Sequence, residues 1–248
     1  MQGVLVTRPL GQQMALGRGL DELAIPWHHL PLLAVEEVPE NQQQKELVMG
    51  LDQFDGVITL SPNGARIAMA RVDRYWPMLP VGLHWLANGS GTAKVLNEWQ
   101  VHEVQTPTQG TTSEDLLKLP VLQEVQEQKW LLIKGEGGRP LLKDTLESRQ
   151  AQVTEWACYR RVKPAVSTEA AQTALSQCAI IMISSAEALD NLYGLIKDNQ
   201  AFKHHKAVVS SQRLKEKILA GPAQWQSVVI AQGASDSQMI QAVSLLFK

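Results

Sequence analysis

A handful of short segments hold the residue types that bind anions or move protons. Ser61-Pro62-Asn63 follows the apolar run Val57–Leu60, and Ser184-Ser185 follows Ile180–Ile183. A hydroxyl or amide at such a junction accepts from a free backbone N–H at a helix start, and proline suits the first helical turn. The same free N–H groups bind a carboxylate or phosphate when a ligand replaces the cap. Either reading fits a single turn. Several turns at sheet C-terminal edges facing one cleft favour binding. Asn88-Gly89-Ser90-Gly91-Thr92 is a further glycine-rich turn, and it fits neither a P-loop nor G-x-G-x-x-G. Its glycines permit close backbone approach to an anion or a plain tight turn. Lys134-Gly135-Glu136-Gly137-Gly138-Arg139 sets three glycines and two cations after an apolar strand. That pattern reads equally as an anion cradle and as a solvated turn. Tyr159, in Cys158-Tyr159-Arg160-Arg161, either covers an extended crossing or offers a phenol as proton donor.

Other chemistries are set aside by what surrounds these residues. The adjacent pairs His28-His29 and His204-His205 point to opposite faces of any strand, so neither pair easily shares a metal. No H-E-x-x-H, G-x-S-x-G or paired-carboxylate pattern occurs. Cys158 and Cys178 form no C-x-x-C, so a disulfide framework or zinc site is not expected and a reducing compartment fits. A net charge of −2 supplies no field for nucleic acid or an anionic membrane. Apolar runs are far too short to span a bilayer, and the start of the chain lacks a signal peptide's long apolar stretch. A cytoplasmic protein is the expectation. Of the seven tryptophans, Trp76, Trp85, Trp99 and Trp130 adjoin strands and turns, where packing is their expected role.

Positioning elements follow from periodicity. Ten short apolar runs read as strands: Val4–Val6, Leu30–Leu33, Val57–Leu60, Leu83–Ala87, Val101–Val104, Leu131–Ile133, Val153–Ala157, Ile180–Ile183, Ala207–Val209 and Val228–Ile230. Segments of helical period lie between most of them, such as Leu16-Leu20-Leu23, Ala68-Val72-Tyr75 and Leu189-Tyr193-Ile196. Alternation of this kind predicts an α/β protein with parallel sheets, and strands buried on both faces explain the continuous apolar runs.

A weak internal repeat divides the chain. The segment from Asp55 (DGVITLSPNGARIA) resembles that from Cys178 (CAIIMISSAEALDN), with Ser61 aligned to Ser184. The start VLVTRP resembles WLLIKGEGGRP near residues 130–140, so one half-copy is displaced along the chain. The first domain must then begin at the N-terminus, leave, and be completed by the C-terminal third. The expected division is 1–35 plus 165–248 for one domain and 38–162 for the other. Linkers near 35–38 and 160–164, each closing with proline, cross as a two-stranded hinge. Two similar domains, each a parallel flavodoxin-like sheet flanked by helices, would enclose the active surface in their cleft.

Taken in order, these pieces resemble the uroporphyrinogen-III synthase family. The matching residues are Val6-Thr7-Arg8-Pro9, Asp55 through Ala65, Gly89-Ser90-Gly91-Thr92-Ala93, Thr112 through Leu117, Lys134 through Arg139, Val153-Thr154-Glu155 with Tyr159-Arg160, and Ile183-Ser184-Ser185-Ala186. Lys134 stands where the family commonly has Arg. Leu60 stands where Thr is frequent, and Val209-Ser210-Ser211-Gln212-Arg213 replaces a Gly-containing turn. The resemblance implies two α/β domains, one discontinuous, and the linear tetrapyrrole hydroxymethylbilane as substrate. It implies a cyclising hydro-lyase without metal or cofactor, working as a monomer that meets hydroxymethylbilane synthase transiently. Substrate carboxylates would be held at Arg8, Ser61, Pro62, Asn63, Gly89, Ser90, Thr92, Lys134, Gly135, Arg139, Ser184, Ser185 and Ser210, with Tyr159 as donor to the departing hydroxyl. A non-catalytic two-lobed binding protein for small anions is the rival from another class. A phosphate transferase is weakened by the missing P-loop and the lack of clustered acids for Mg²⁺.

Overall fold

β-Branched and leucine-rich runs, each too short to bury its faces alone, form parallel strands with helices packed on both sides. A computed structural model describes residues 3–247. In chain order the elements begin with β1 (Gly3–Val6), α1 (Met14–Glu22), β2 (Trp27–His29), β3 (Ala34–Glu37), α2 (Gln42–Met49), β4 (Gly56–Thr59) and α3 (Pro62–Tyr75). They continue with β5 (His84–Ala87), α4 (Ser90–Glu98), α5 (Ser113–Leu116), β6 (Lys129–Gly135), α6 (Leu141–Ser148) and β7 (Gln152–Val162). The remainder is α7 (Thr168–Gln177), β8 (Cys178–Ile183), α8 (Ala186–Leu195), β9 (Lys206–Val209), α9 (Gln212–Ala220), β10 (Ser227–Ile230) and α10 (Asp236–Ser244).

The chain forms two compact units: Met1–Ala34 with Val162–Lys248, and Val35–Arg161. Each has its own sheet of five strands, ordered β10-β9-β8-β1-β2 in the discontinuous unit and β3-β7-β6-β4-β5 in the continuous one. Strands β2, β1, β8 and β9 are parallel neighbours, as are β7, β6, β4 and β5. The two blocks of four have the same order once β1 is matched to β6 and β8 to β4. The displaced half-copy in the sequence is therefore visible as matching sheet positions. In each block the winding reverses at the central pair, β1/β8 or β4/β6. Parallel α/β sheets bind ligands outside strand C-termini at such a reversal.

Alternate residues of each strand enter different cores. Val57, Leu131 and Ile133 join one cluster with α3 and α4, whereas Ile58, Leu132 and Trp130 join the opposite one. Leu5 and Val6 divide in the same way in the other unit. Both faces of each sheet are dry, which is why the strands read as unbroken apolar runs.

Two expected strands do not form. Leu30–Leu33 lies outside the sheet, and β2 falls on Trp27–His29 instead. Pro31 interrupts the leucines and has no N–H for a ladder. Leu30, Leu32 and Leu33 are still buried, so the run fills core as irregular chain. Val101–Val104 is broken by left-handed backbone at Glu103 (φ 57°), near Gln100 (φ 60°), and the sheet is met just beyond it by a bridge from Leu86 to Gln105. Leu23 ends α1 half-exposed instead of continuing its buried face. No helix among the described residues is long and apolar enough to cross a membrane.

Both cysteines are buried thiols. Burial pushes Cys158 up to about 12, with the nearby Arg71 charge drawing it partly back, and pushes Cys178 up to about 11. The folded chain therefore holds protons that the unfolded chain releases above its ordinary thiol value of 9.0. Stability is lost as pH rises from that value, the Cys178 share ending near 11 and the Cys158 share near 12. Urea unfolding followed from pH 8.5 upward should fall less steeply for Cys158→Ala and Cys178→Ala than for the parent chain.

Candidate functional site

The C-terminal edge of the continuous unit brings three of the expected residues together. Ser61 lies two residues beyond β4 and caps α3, its Oγ accepting the Gly64 N–H at 3.0 Å. Tyr159 lies on β7 and is 3% exposed. Its phenol oxygen is 2.9 Å from Ser61 Oγ, a part-buried hydrogen bond between residues 98 apart in sequence. Gly135 ends β6 beneath the tyrosine ring. A Cβ there would lie 2.6 Å from the ring and 3.0 Å from its oxygen. Glycine is required here for clearance. The Glu136 N–H donates to the Tyr159 carbonyl at 2.8 Å, tying the loop after β6 to the strand that carries the phenol.

Pro62 occupies the first turn of α3, and Asn63 Oδ1 accepts from Arg66 at 3.2 Å. Gly89 begins α4 in extended backbone and supplies no side-chain cap, leaving that helix start to bare amides and exposed Ser90. Thr92 is 2% exposed and donates to Asn88 Oδ1 at 2.8 Å, a bond that stays within the turn.

Each expected cation already has an acidic partner. Lys134 Nζ lies 2.7 Å from Glu155, at 15% side-chain exposure. Arg139 grips Glu114 through two bonds of 2.6 and 2.9 Å, which hold that carboxyl down at about 2. Arg8 spans Asp236 at 2.8 Å and the Ala234 carbonyl at 2.6 Å. The 134–139 loop, readable as cradle or as solvated turn, thus has both its cations paired with acids, and its left-handed glycines at 137 and 138 have nothing near their missing side chains.

The edge of the discontinuous unit repeats this plan with a shift of one residue. The counterpart of Ser61 is Ser185, not Ser184, because Ser185 caps α8 by accepting the Ala188 N–H at 3.1 Å. Ser184 contributes its carbonyl, which accepts from the Ser210 hydroxyl at 3.1 Å. Thr7, buried before Arg8, donates to the Met182 carbonyl at 2.6 Å and closes the β1/β8 seam. Among the described residues, no group of three or more His, Cys, Asp or Glu could hold a metal ion.

A phenol bonded to a helix-capping serine is chemistry that many folds could use, and comparison with known proteins identifies the family. Residues 16–241 match the family model described as Uroporphyrinogen-III synthase HemD. The chain belongs to the uroporphyrinogen-III synthase family. The Uroporphyrinogen-III synthase of Escherichia coli K12 is 30% identical over 252 residues, covering 97% of this chain and 99% of that one. The protein of that name from Salmonella typhimurium is 28% identical over 97% of this chain and 99% of the relative. The fold is shared with two solved structures. A mutant uroporphyrinogen III synthase from Thermus thermophilus superposes with TM-score 0.61 at 20% identity, covering 98% of both chains. A uroporphyrinogen-III synthetase from Helicobacter pylori gives 0.62 at 13% identity, over the full length of both.

Within this synthase-family chain, sequence reasoning gave the acids Glu114, Glu155 and Asp236 no part in pairing the cations, and it did not single out the buried Arg71. Glu155 had a signal, since it interrupts an apolar strand. So had Arg71, which continues the buried α3 face between Ala68 and Tyr75.

Two glycine variants separate packing from ligand approach. Gly135→Ala forces the Tyr159 ring aside and should cost about 1–3 kcal/mol in urea unfolding. Gly91→Ala meets only Pro62 Cγ at 4.0 Å. It should leave stability unchanged or raise it by about 0.5–1 kcal/mol. A fall in turnover of Gly91→Ala without loss of stability would show that substrate approaches this backbone.

Proposed function

We propose that this chain closes hydroxymethylbilane into uroporphyrinogen III, releasing water and inverting the last pyrrole ring. The family match across nearly the whole chain carries the reading, and the Ser61–Tyr159 pair supplies chemistry that suits it. The hydroxyl of the substrate's hydroxymethyl group takes up a proton and leaves as water, and the carbon that stays behind becomes the methylene of an electrophilic azafulvene. The last ring then attacks through its substituted carbon to form a spiro intermediate, which fragments and recloses. Unaided closure uses the unsubstituted carbon and yields the type I isomer. A hundredfold preference between these paths needs only about 2.7 kcal/mol.

Tyr159 is the group we assign to the departing hydroxyl. Ser61 Oγ already accepts from Gly64, so its own proton is free to point at the phenol oxygen. That polarity leaves the phenol proton for the substrate. Donation to a leaving oxygen typically contributes 10²–10⁴ in rate. The substrate's carboxylates are taken chiefly by helix-start amides, at Gly89-Ser90 above all, because Arg8, Lys134 and Arg139 are neutralised internally. The reading carries with it a cytoplasmic monomer with a two-stranded hinge near 35–38 and 160–164, meeting hydroxymethylbilane synthase transiently. A non-catalytic anion-binding protein is disfavoured by the family match.

Freshly generated hydroxymethylbilane, followed by separation of the oxidised porphyrin isomers, tests the activity. Type III product is expected, and only type I at the uncatalysed rate overturns the assignment. Tyr159→Phe should lose on the order of a hundredfold in turnover. Removing one hydrogen bond should lower its stability by only about 1 kcal/mol.

A further inference from the structure

Arg71 is a buried cation that the site described above does not use. It lies on α3 at 3% exposure. Its guanidinium donates to the Val38 carbonyl and, at 3.2 Å, to Gln44 Oε1. The nearest anion is Glu37 at 3.7 Å, whose own side chain is 63% exposed. Burying a guanidinium is costly, and apolar packing at such a position is often as stable or more so. Directional hydrogen bonding supplies what apolar packing cannot, a fixed register between the elements it joins.

The bonds leading from Arg71 end beside the Ser61–Tyr159 pair. Gln44 passes its amide N–H to the Ala157 carbonyl at 3.3 Å. The Val38 N–H donates to the Cys158 carbonyl at 3.0 Å. Cys158 in turn directs its thiol to the carbonyls of Gly64 and Lys134, at 3.7 and 3.6 Å. Ala157 and Cys158 immediately precede Tyr159 on β7. Gly64 is the residue whose N–H Ser61 accepts. One guanidinium thus ties α3, which carries Ser61, to the backbone that carries Tyr159, through α2 and the β3 segment.

We propose that Arg71 is a positioning residue for the reaction: with Gln44 it holds α3 in register with β7, so that Ser61 meets the Tyr159 phenol at hydrogen-bond distance. The proposal rests on the reading of Tyr159 as donor. A slip of about 1 Å at a catalytic pair is enough to lose on the order of a hundredfold in rate. Apolar contacts between α3 and the sheet resist such a slip poorly, because they are non-directional.

Steady-state turnover of Arg71→Lys and Gln44→Leu, alone and combined with Tyr159→Phe, tests this. Both single variants should lower kcat by about tenfold or more with KM changed less than about twofold, as expected for an interaction realised at the transition state. Neither should lower kcat further in the Tyr159→Phe background, because the phenol they position is gone. Gln44→Leu keeps the buried charge and decides the matter alone if Arg71→Lys does not fold. Normal kcat in Gln44→Leu beside an impaired Tyr159→Phe overturns the proposal, as does an equal further loss in the double variant. Full turnover of Tyr159→Phe by itself overturns the donor role and this proposal with it.

Discussion

Parallel strands cannot turn back on themselves, and that constraint organises this molecule. Every crossover must travel along a helix before the next strand begins, so strand C-termini and helix N-termini gather on one edge of each sheet. Unpaired backbone amides gather on the same edge. Where the winding reverses, at β4/β6 and β1/β8, neighbouring strands send their chains to opposite faces and leave the edge open between them. Ser61, Gly135 and Tyr159 occupy that position in one unit, and Arg8, Ser184 and Ser185 occupy it in the other.

Under the proposed function, amide-rich edges also answer a difficulty of charge. A chain with net charge −2 is an improbable host for a substrate rich in carboxylates if side-chain cations must neutralise it. Even the cations that were available are already paired. Arg8, Lys134 and Arg139 are each held by an acid, at 2.8, 2.7 and 2.6 Å. These pairs fix loops beside the edge. Backbone amides at helix starts attract anions without carrying net charge, and their geometry is set by the helix itself. A site built this way leaves no catalytic cluster of the usual kind, which suits a reaction decided mostly by the fold of the substrate.

The hydroxyl pair shows how much depends on distant supports. Ser61 is placed by a helix start, Tyr159 by a strand, and the space for the ring by the absence of a side chain at Gly135. Behind them Cys158 stays a neutral thiol, held well above its ordinary range by burial. It acts as a weak donor among backbone carbonyls and not as a nucleophile.

Much of this was legible in the residues. The period of apolar runs identified the alternation of strands and helices, because local sterics and burial on two faces constrain strand composition directly. The internal repeat, including its displaced half, survives in matching sheet positions because equivalent strands meet equivalent surroundings. Failures of local reading have local causes: Pro31 within the leucine run, and left-handed Gln100 and Glu103 beside the valines. Ser61, Gly135 and Tyr159 could each be nominated from sequence as a cap, a turn and a phenol. Only tertiary structure joined them, since a 2.9 Å bond across 98 residues depends on strand order and register that no local pattern encodes. The same is true of the acids that silence Arg8, Lys134 and Arg139, and of the one-residue shift from Ser184 to Ser185. Charge pairing and capping are settled by distances of a few ångströms, and those appear only when the sheet is assembled.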